Sequence, residues 1–250
     1  MSKVSNINAL NNLIFIGKML SVHHDFFAET PRRRRSMKIK AFISIIVIVS
    51  CHICLSNINE SFDVIYLTMV TSNFILCSNA TVAISNSISS SHLFKEFIVS
   101  VNCTHERCKQ DDLYNKSLKK LCMTNYISIV YYLSVHVLLV MVLLVSKASL
   151  IFFSVPIFLF LLTNFWALAM YIAEFVLLRT MLNILYLQLK SVNKSIVTIE
   201  KHISNSSEKH IKQKFQIRMR KHIKIWTDNY ENIVKCTNKI NGIFNGQVSA

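Results

Sequence analysis

Residues 150–178 read LIFFSVPIFLFLLTNFWALAMYIAEFVLL, an apolar run in which Glu174 is the one charged side chain. About 20 helical residues rising 1.5 Å each cross a hydrocarbon layer of roughly 30 Å, so this run can span a bilayer with residues to spare. Helical periodicity does not stop where the apolar run stops. Residues 178–202, LRTMLNILYLQLKSVNKSIVTIEKH, keep a stripe at Leu182, Leu185, Leu189, Val192, Ile196 and Ile199. Spacings of three and four put those side chains on one helix face, so the span is expected to continue as helix into the cytosol.

Three more stretches resemble spans. Residues 41–58 (AFISIIVIVSCHICLSNI) are short for the purpose, but Lys40 can snorkel at one end. Residues 64–88 are long enough but carry Ser72, Asn73, Ser78, Asn79, Ser85 and Asn86, so this helix is expected to face its neighbours more than lipid. Residues 127–146 are plainly apolar. The expectation is an all-α polytopic membrane bundle of four spans, 41–58, 64–88, 127–146 and 150–178, between a cytosolic segment 1–40 and a cytosolic helical hairpin 179–250. Composition agrees: 52% of the 250 residues are hydrophobic and 16% charged, with three glycines and two prolines, too few turn formers for an all-β chain. The first thirty residues hold no apolar core and cleavage site of the secretory kind.

The net charge of +15 is informative through its placement. Arg32, Arg33, Arg34, Arg35, Lys38 and Lys40 precede the first span and act as topology determinants that hold the N-terminus in the cytosol. The next connection, residues 57–63, carries Glu60 and Asp63 and no base; the third, about 89–125, is basic; everything after Leu178 is basic again. Inside and outside alternate consistently. The arginine run also fits a nuclear address or a phosphate-binding patch, but a basic cluster just before an apolar span is usually a topology signal, and nucleic acid is not expected as a partner.

Catalytic signatures are lacking. There is no hydrolase elbow, Walker loop, H-E-x-x-H or dinucleotide fingerprint, so neither enzyme activity nor a cofactor is expected. Cys103, His105 and Cys108 form a C-x-H-x-x-C pattern that lacks a regularly spaced fourth ligand, and no metal is expected. Of the glycosylation sequons, Asn59-Glu60-Ser61 alone falls in an expected outer loop. The candidates for ligand contact are polar or amphipathic groups at middle or outer depth: Tyr66, Thr68 and Asn73 in the second span, His136 in the third, Asn164 and Trp166 in the fourth. Buried groups of this kind bond either to another helix or to a ligand, and interhelical bonding is the simpler reading. In the tail, Asn205 and Glu208 resemble a capping box ahead of a stripe at Ile211, Phe215, Met219, Ile223, Trp226, Tyr230, Ile233, Thr237, Ile240 and Phe244. That stripe is expected to pack in a cytosolic bundle, antiparallel to the exit of the fourth span.

Three stretches carry a family resemblance: LIFIGKMLSVHHDFF (13–27), LLRTMLNILYLQLKSVNKSI (177–196) and IWTDNYENIVKCTNKINGIFNGQ (225–247). They resemble the segment before the first span, the leucine-rich exit of the fourth span and the following Asn-rich helix of the insect gustatory receptors, seven-span chemosensory proteins related to insect odorant receptors. The resemblance implies a plasma-membrane, ligand-gated cation channel subunit for small-molecule tastants, assembled as a homo- or hetero-tetramer, with ligand among the outer halves of the spans and the cytosolic helices as its anchoring core. Family members carry three further spans, the last with a T-Y-x-x-x-x-x-Q-F signature and the pore. With its last residue at Ala250, this chain is expected to lack that pore, as an incompletely read gene, a short splice product or a degenerate copy. An odorant receptor relative, and a small four-span adaptor or transporter subunit, are the alternatives.

The topology is testable directly. A glycosylation tag on a spacer beside Asn59 should be modified and one after Ala250 should not; the reverse pattern would overturn the orientation.

Overall fold

In the computed structural model the described residues are 7–20, 31–56, 64–108, 111–146, 155–204 and 212–248. They form seven helices and, among the described residues, no strand: α1 (Asn8–Met19), α2 (Pro31–Ser56), α3 (Val64–Ser89), α4 (Ser91–Cys108), α5 (Asp112–Ser146), α6 (Val155–Ser204) and α7 (Lys212–Val248). The chain is all-helical. The expected capping box at Asn205 and Glu208 and the sequon at Asn59 lie outside the described residues.

Helix boundaries follow from local chemistry. Pro31 opens α2, where its fixed φ suits the first turn and its missing N–H costs nothing, so the arginine run belongs to the same helix as the apolar stretch above it. Pro156 is tolerated in the first turn of α6 for the same reason. Asp111 caps α5: its carboxylate accepts the Leu113 N–H at 3.1 Å while its carbonyl accepts the Asn115 N–H. Between α3 and α4 a single residue, Ser90, interrupts the helix, yet the ladder carries across through Ser90 N–H to Asn86 O and Phe94 N–H to Ser90 O. The stretch expected to be a connection, about 89–125, is therefore filled by α4 and the lower half of α5.

The 50-residue α6 is in contact with all six other helices. Its length of about 75 Å at 1.5 Å per residue exceeds what a bilayer requires by more than twofold. The larger core joins α1, α4, α5, α6 and α7 through buried Leu10, Phe94, Phe97, Val101, Tyr114, Met181, Ile184, Ile243 and Phe244. The smaller joins α2, α3 and α6 through Ala41, Ala80 and Ala167, where small side chains let backbones approach closely.

α4 and α7 run antiparallel. Lys239 pairs with Glu96 at 3.2 Å and Arg107 donates to Asn229 at 2.7 Å, so rising numbers on one helix meet falling numbers on the other. Buried residues recur at 94, 97, 101, 104 and 108 on α4, and at 229, 233, 236, 240 and 243 on α7. A seam that alternates steps of three and four is the knobs-into-holes pattern. The expected α7 stripe is thereby corrected: Ile223 and Tyr230 are 49% and 57% exposed, Thr237 is exposed, and Asn229 and Cys236 are buried in their place. Hydrophobicity alone cannot separate two adjacent stripes that share Ile233, Ile240 and Phe244; the seam is chosen by what fits α4.

Among the described residues two helices are long and apolar enough to cross a membrane, through Asp112–Leu138 in α5 and Thr163–Lys201 in α6; shorter apolar runs are Ala41–Ser50 in α2 and Phe74–Ser89 in α3.

Phe97 is fully buried at the α4–α7 seam. Phe97→Ala should cost about 3–5 kcal/mol through lost burial and the cavity left behind, read as a lowered unfolding midpoint of the detergent-solubilised chain. An unchanged midpoint would show that α4 does not pack as described.

Candidate functional site

Of the six candidate ligand residues, the side chains of Tyr66, Thr68 and Asn73 lie outside the described residues, as do those of the topology residues Arg33, Arg34 and Lys40. Arg32, Arg35 and Lys38 are exposed on α2. His136, Asn164 and Trp166 are all half-buried.

Trp166 is committed elsewhere. Its Nε1–H donates at 3.2 Å to the carbonyl of Leu20, which closes α1. The last carbonyls of a helix have no partner within it, and an indole N–H supplies one while its ring fills the gap between α1 and α6. His136 on α5 instead meets Phe165 of α6, ring centroids 6.4 Å apart. Its Nε2 is shielded from solvent and has no hydrogen-bond partner among the described residues, and the same holds for Oδ1 of Asn164. The structure thus links His136 to the α6 turn that carries Asn164, and turns Trp166 toward α1. Glu174, the one charged side chain of residues 150–178, is buried among helices, because that part of α6 is wrapped by its neighbours.

A second polar centre lies at the α4–α5 corner, and sequence reasoning missed it. His105 Nδ1 and the Tyr114 hydroxyl are 2.9 Å apart and both side chains are buried. Gln188 of α6 donates through Nε2 to the Val101 carbonyl at 3.1 Å. Burial pushes the Tyr114 hydroxyl far above its ordinary range, against the opposing pull of Gln188. Nearby, Ser191 Oγ donates to Asp111 at 3.0 Å and Lys194 Nζ pairs with it at 2.9 Å. Desolvation works against the Asp111 carboxylate, but the hydrogen bonds from Lys194, Ser191 and the Leu113 N–H outweigh it and hold the carboxyl below its usual range. The Cys108 thiol is pushed up, first by burial and then by the Asp111 charge, against the pull of Ser191 and Arg107.

The C-x-H-x-x-C pattern resolves into three separate environments: Cys103 exposed, Cys108 buried, and His105 bonded to Tyr114. Among the described residues no group of three or more His, Cys, Asp or Glu side chains is placed to hold a metal ion. Beside this corner a cleft of about 1080 Å³ opens between α6 and α7, with Arg107, Lys116 and Lys194 balanced by Glu106, Asp111 and Asp112 along its wall. Balanced charge gives it no preference for ligands of either sign. The sequence signal for this centre was weak: Tyr114 follows His105 by nine residues but sits on another helix, Gln188 is far along the chain, and the three meet only because α4, α5 and α6 pack together.

Comparison of the chain with known protein families, with curated proteins and with solved structures finds no significant match.

Asp111 separates a cap from a charge. Asp111→Ala should cost about 1–2 kcal/mol, whereas Asp111→Asn retains an equally good cap and loses the charge interaction alone. Because the folded carboxyl is depressed, its contribution is present above the unfolded value of about 3.9 and is lost as pH falls through the folded value. The gap between wild type and Asp111→Asn in thermal unfolding should therefore close in acid; a gap independent of pH would refute the charge interaction.

Proposed function

We propose that this chain is a gustatory receptor-like chemosensory subunit that crosses the plasma membrane through α2, α3, α5 and α6, keeps its N-terminus in the cytosol, and holds a small-molecule tastant among its helices. Support for the membrane boundary comes from what each helix exposes. On α2 exposed Arg32, Arg35 and Lys38 give way to exposed Ile39, Phe42 and Ile43; on α5 exposed Lys116, Lys119 and Lys120 give way to Met123, Tyr126 and Ile127. On α6 Arg179 follows exposed Tyr171 and Phe175. Bases meeting an apolar surface at one end of several helices is the pattern expected of a cytosolic face. From Lys120 to Met141 α5 rises about 31 Å, and from Arg179 back to Val155 α6 rises about 36 Å, each matching a hydrocarbon layer.

The observation that carries the ligand reading is that two of the five buried polar atoms without a partner among the described residues, His136 Nε2 and Asn164 Oδ1, lie on facing turns of α5 and α6. His136 stands about 24 Å above Lys120 along α5 and Asn164 about 22 Å above Arg179 along α6, one common depth in the outer half of the layer. Shielded polar atoms without partners are costly, and a ligand carrying hydroxyl or amine groups relieves that cost. By the resemblance, four such subunits assemble in a complete receptor.

The purified chain should be challenged with a panel of sugars, bitter amines and amino acids while its thermal unfolding is followed. A ligand at a hundredfold excess over its Kd adds about 2.7 kcal/mol of stability. His136→Ala and Asn164→Ala should abolish that gain without lowering the ligand-free midpoint. A flat response across the panel, from a chain that resists alkaline extraction from membranes, would overturn the chemosensory reading.

A further inference from the structure

α5 exposes a ridge opposite its buried seam of Tyr114, Leu118, Leu121 and Asn125. In its lower part the ridge is Lys116 and Lys120, with Lys119 beside them; in its upper part it is Met123, Ile127 and Val130, each about 60% exposed or more. Steps of three and four keep these residues in line along the helix. Among the described residues the three lysines make no ion pair or hydrogen bond through their side chains, and Asp112, one turn below Lys116, forms no ion pair with them. Helix polarity does not account for them, because cations are favoured in the last turn of a helix and these occupy the second and third. A solvated face does not account for the ridge either, because its upper part is apolar.

We propose that Lys116, Lys119 and Lys120 form a headgroup site for an anionic phospholipid whose acyl chains lie along Met123, Ile127 and Val130. This inference rests on the membrane reading above. Three unpaired ammonium groups within about 6 Å of helix rise match a headgroup of net negative charge such as phosphatidylserine, whose phosphate and carboxylate offer several acceptors. Phosphatidylcholine presents the same phosphate with its charge offset by a quaternary ammonium. The apolar ridge selects a lipid over free phosphate, since it begins one turn above the cations and runs on in the same line.

The test uses the full chain reconstituted in an equimolar mixture of phosphatidylcholine and phosphatidylserine, extracted in neutral detergent and weighed intact to count the retained lipids. Phosphatidylserine should be retained about tenfold over phosphatidylcholine at low salt and lose most of that advantage at 1 M salt. The triple variant Lys116→Gln, Lys119→Gln, Lys120→Gln should lose the selectivity, and the triple arginine variant should keep it. Equal retention of both lipids by the wild type, or selectivity that survives the glutamine variant, overturns the site. Displacement of the lipid by inorganic phosphate at constant ionic strength, where the same concentration of chloride does not displace it, assigns the lysines to free phosphate and also overturns it. A reversed glycosylation-tag pattern in the glutamine variant makes the lysines a topology signal and overturns it as well. Alkaline extraction of the wild type is scored separately: release into the supernatant is failure of the membrane reading, whereas a retained chain without lipid selectivity is failure of this inference alone.

Discussion

Four polar side chains on one helix decide how three of its neighbours are placed. α6 is apolar along most of its buried face, and apolar contact is non-directional: two helices joined only by it can slide by a turn at small cost. A buried polar group has no such freedom, since it must bond or lose the desolvation cost. Trp166 bonds to the end of α1, Thr180 receives Asn125 of α5 at 2.8 Å, Gln188 reaches the backbone of α4 and Ser191 reaches the cap of α5. Each bond fixes the register of one neighbour. Moving any of those helices by one turn would leave at least two buried groups unbonded, so the contacts specify the arrangement more than they stabilise it.

The α4–α7 seam shows the complementary device. Arg107 with Asn229 marks one end and Lys239 with Glu96 and Ser100 marks the other, while the space between is filled by apolar side chains. The half-exposed Lys239–Glu96 pair adds little stability in water but makes a parallel or shifted pairing unfavourable. Within the seam, burial pushes the Cys236 thiol up to about 11 against the pull of Lys239 and Ser100, so at neutral pH it is a neutral thiol and packs as a small apolar residue.

The parts legible in the sequence are those governed by repetition. Continuation of α6 past Leu178 follows from a stripe that does not change period, and the α7 helix follows from its own. α4 was hidden because its buried face includes Thr104 and His105 and sits in a basic stretch, so the apolar count that reveals a helix falls where a partner satisfies polar groups instead. An aromatic with one donor suits a ligand contact, and Trp166 gives that donor to a backbone carbonyl 146 residues away, which no spacing rule reaches. The same limit hid His105 and Tyr114, whose bond depends on a corner between two helices. His136 and Asn164 could be chosen as polar groups in apolar surroundings, but only packing distinguishes them from Trp166 by leaving their atoms without a partner.

α5 and α6 pose the sharpest contrast. Their apolar windows have nearly the same mean hydropathy, 1.4 and 1.6, yet 11% of the first is buried inside the protein against 56% of the second. An apolar helix in a soluble core would show the second pattern. The first leaves a face of large side chains, Tyr131, Leu138 and Met141 among them, uncovered by any other described helix. For such a face water is the poorer solvent, and the cost of leaving it wet grows with its area. Composition treats the two helices alike, so burial is what tells them apart: α6 organises the protein from within, and α5 carries an apolar face that no other described helix covers. The unmatched atoms of His136 and Asn164 belong to these two helices, close to the boundary between a packed interior and the face that no described helix covers.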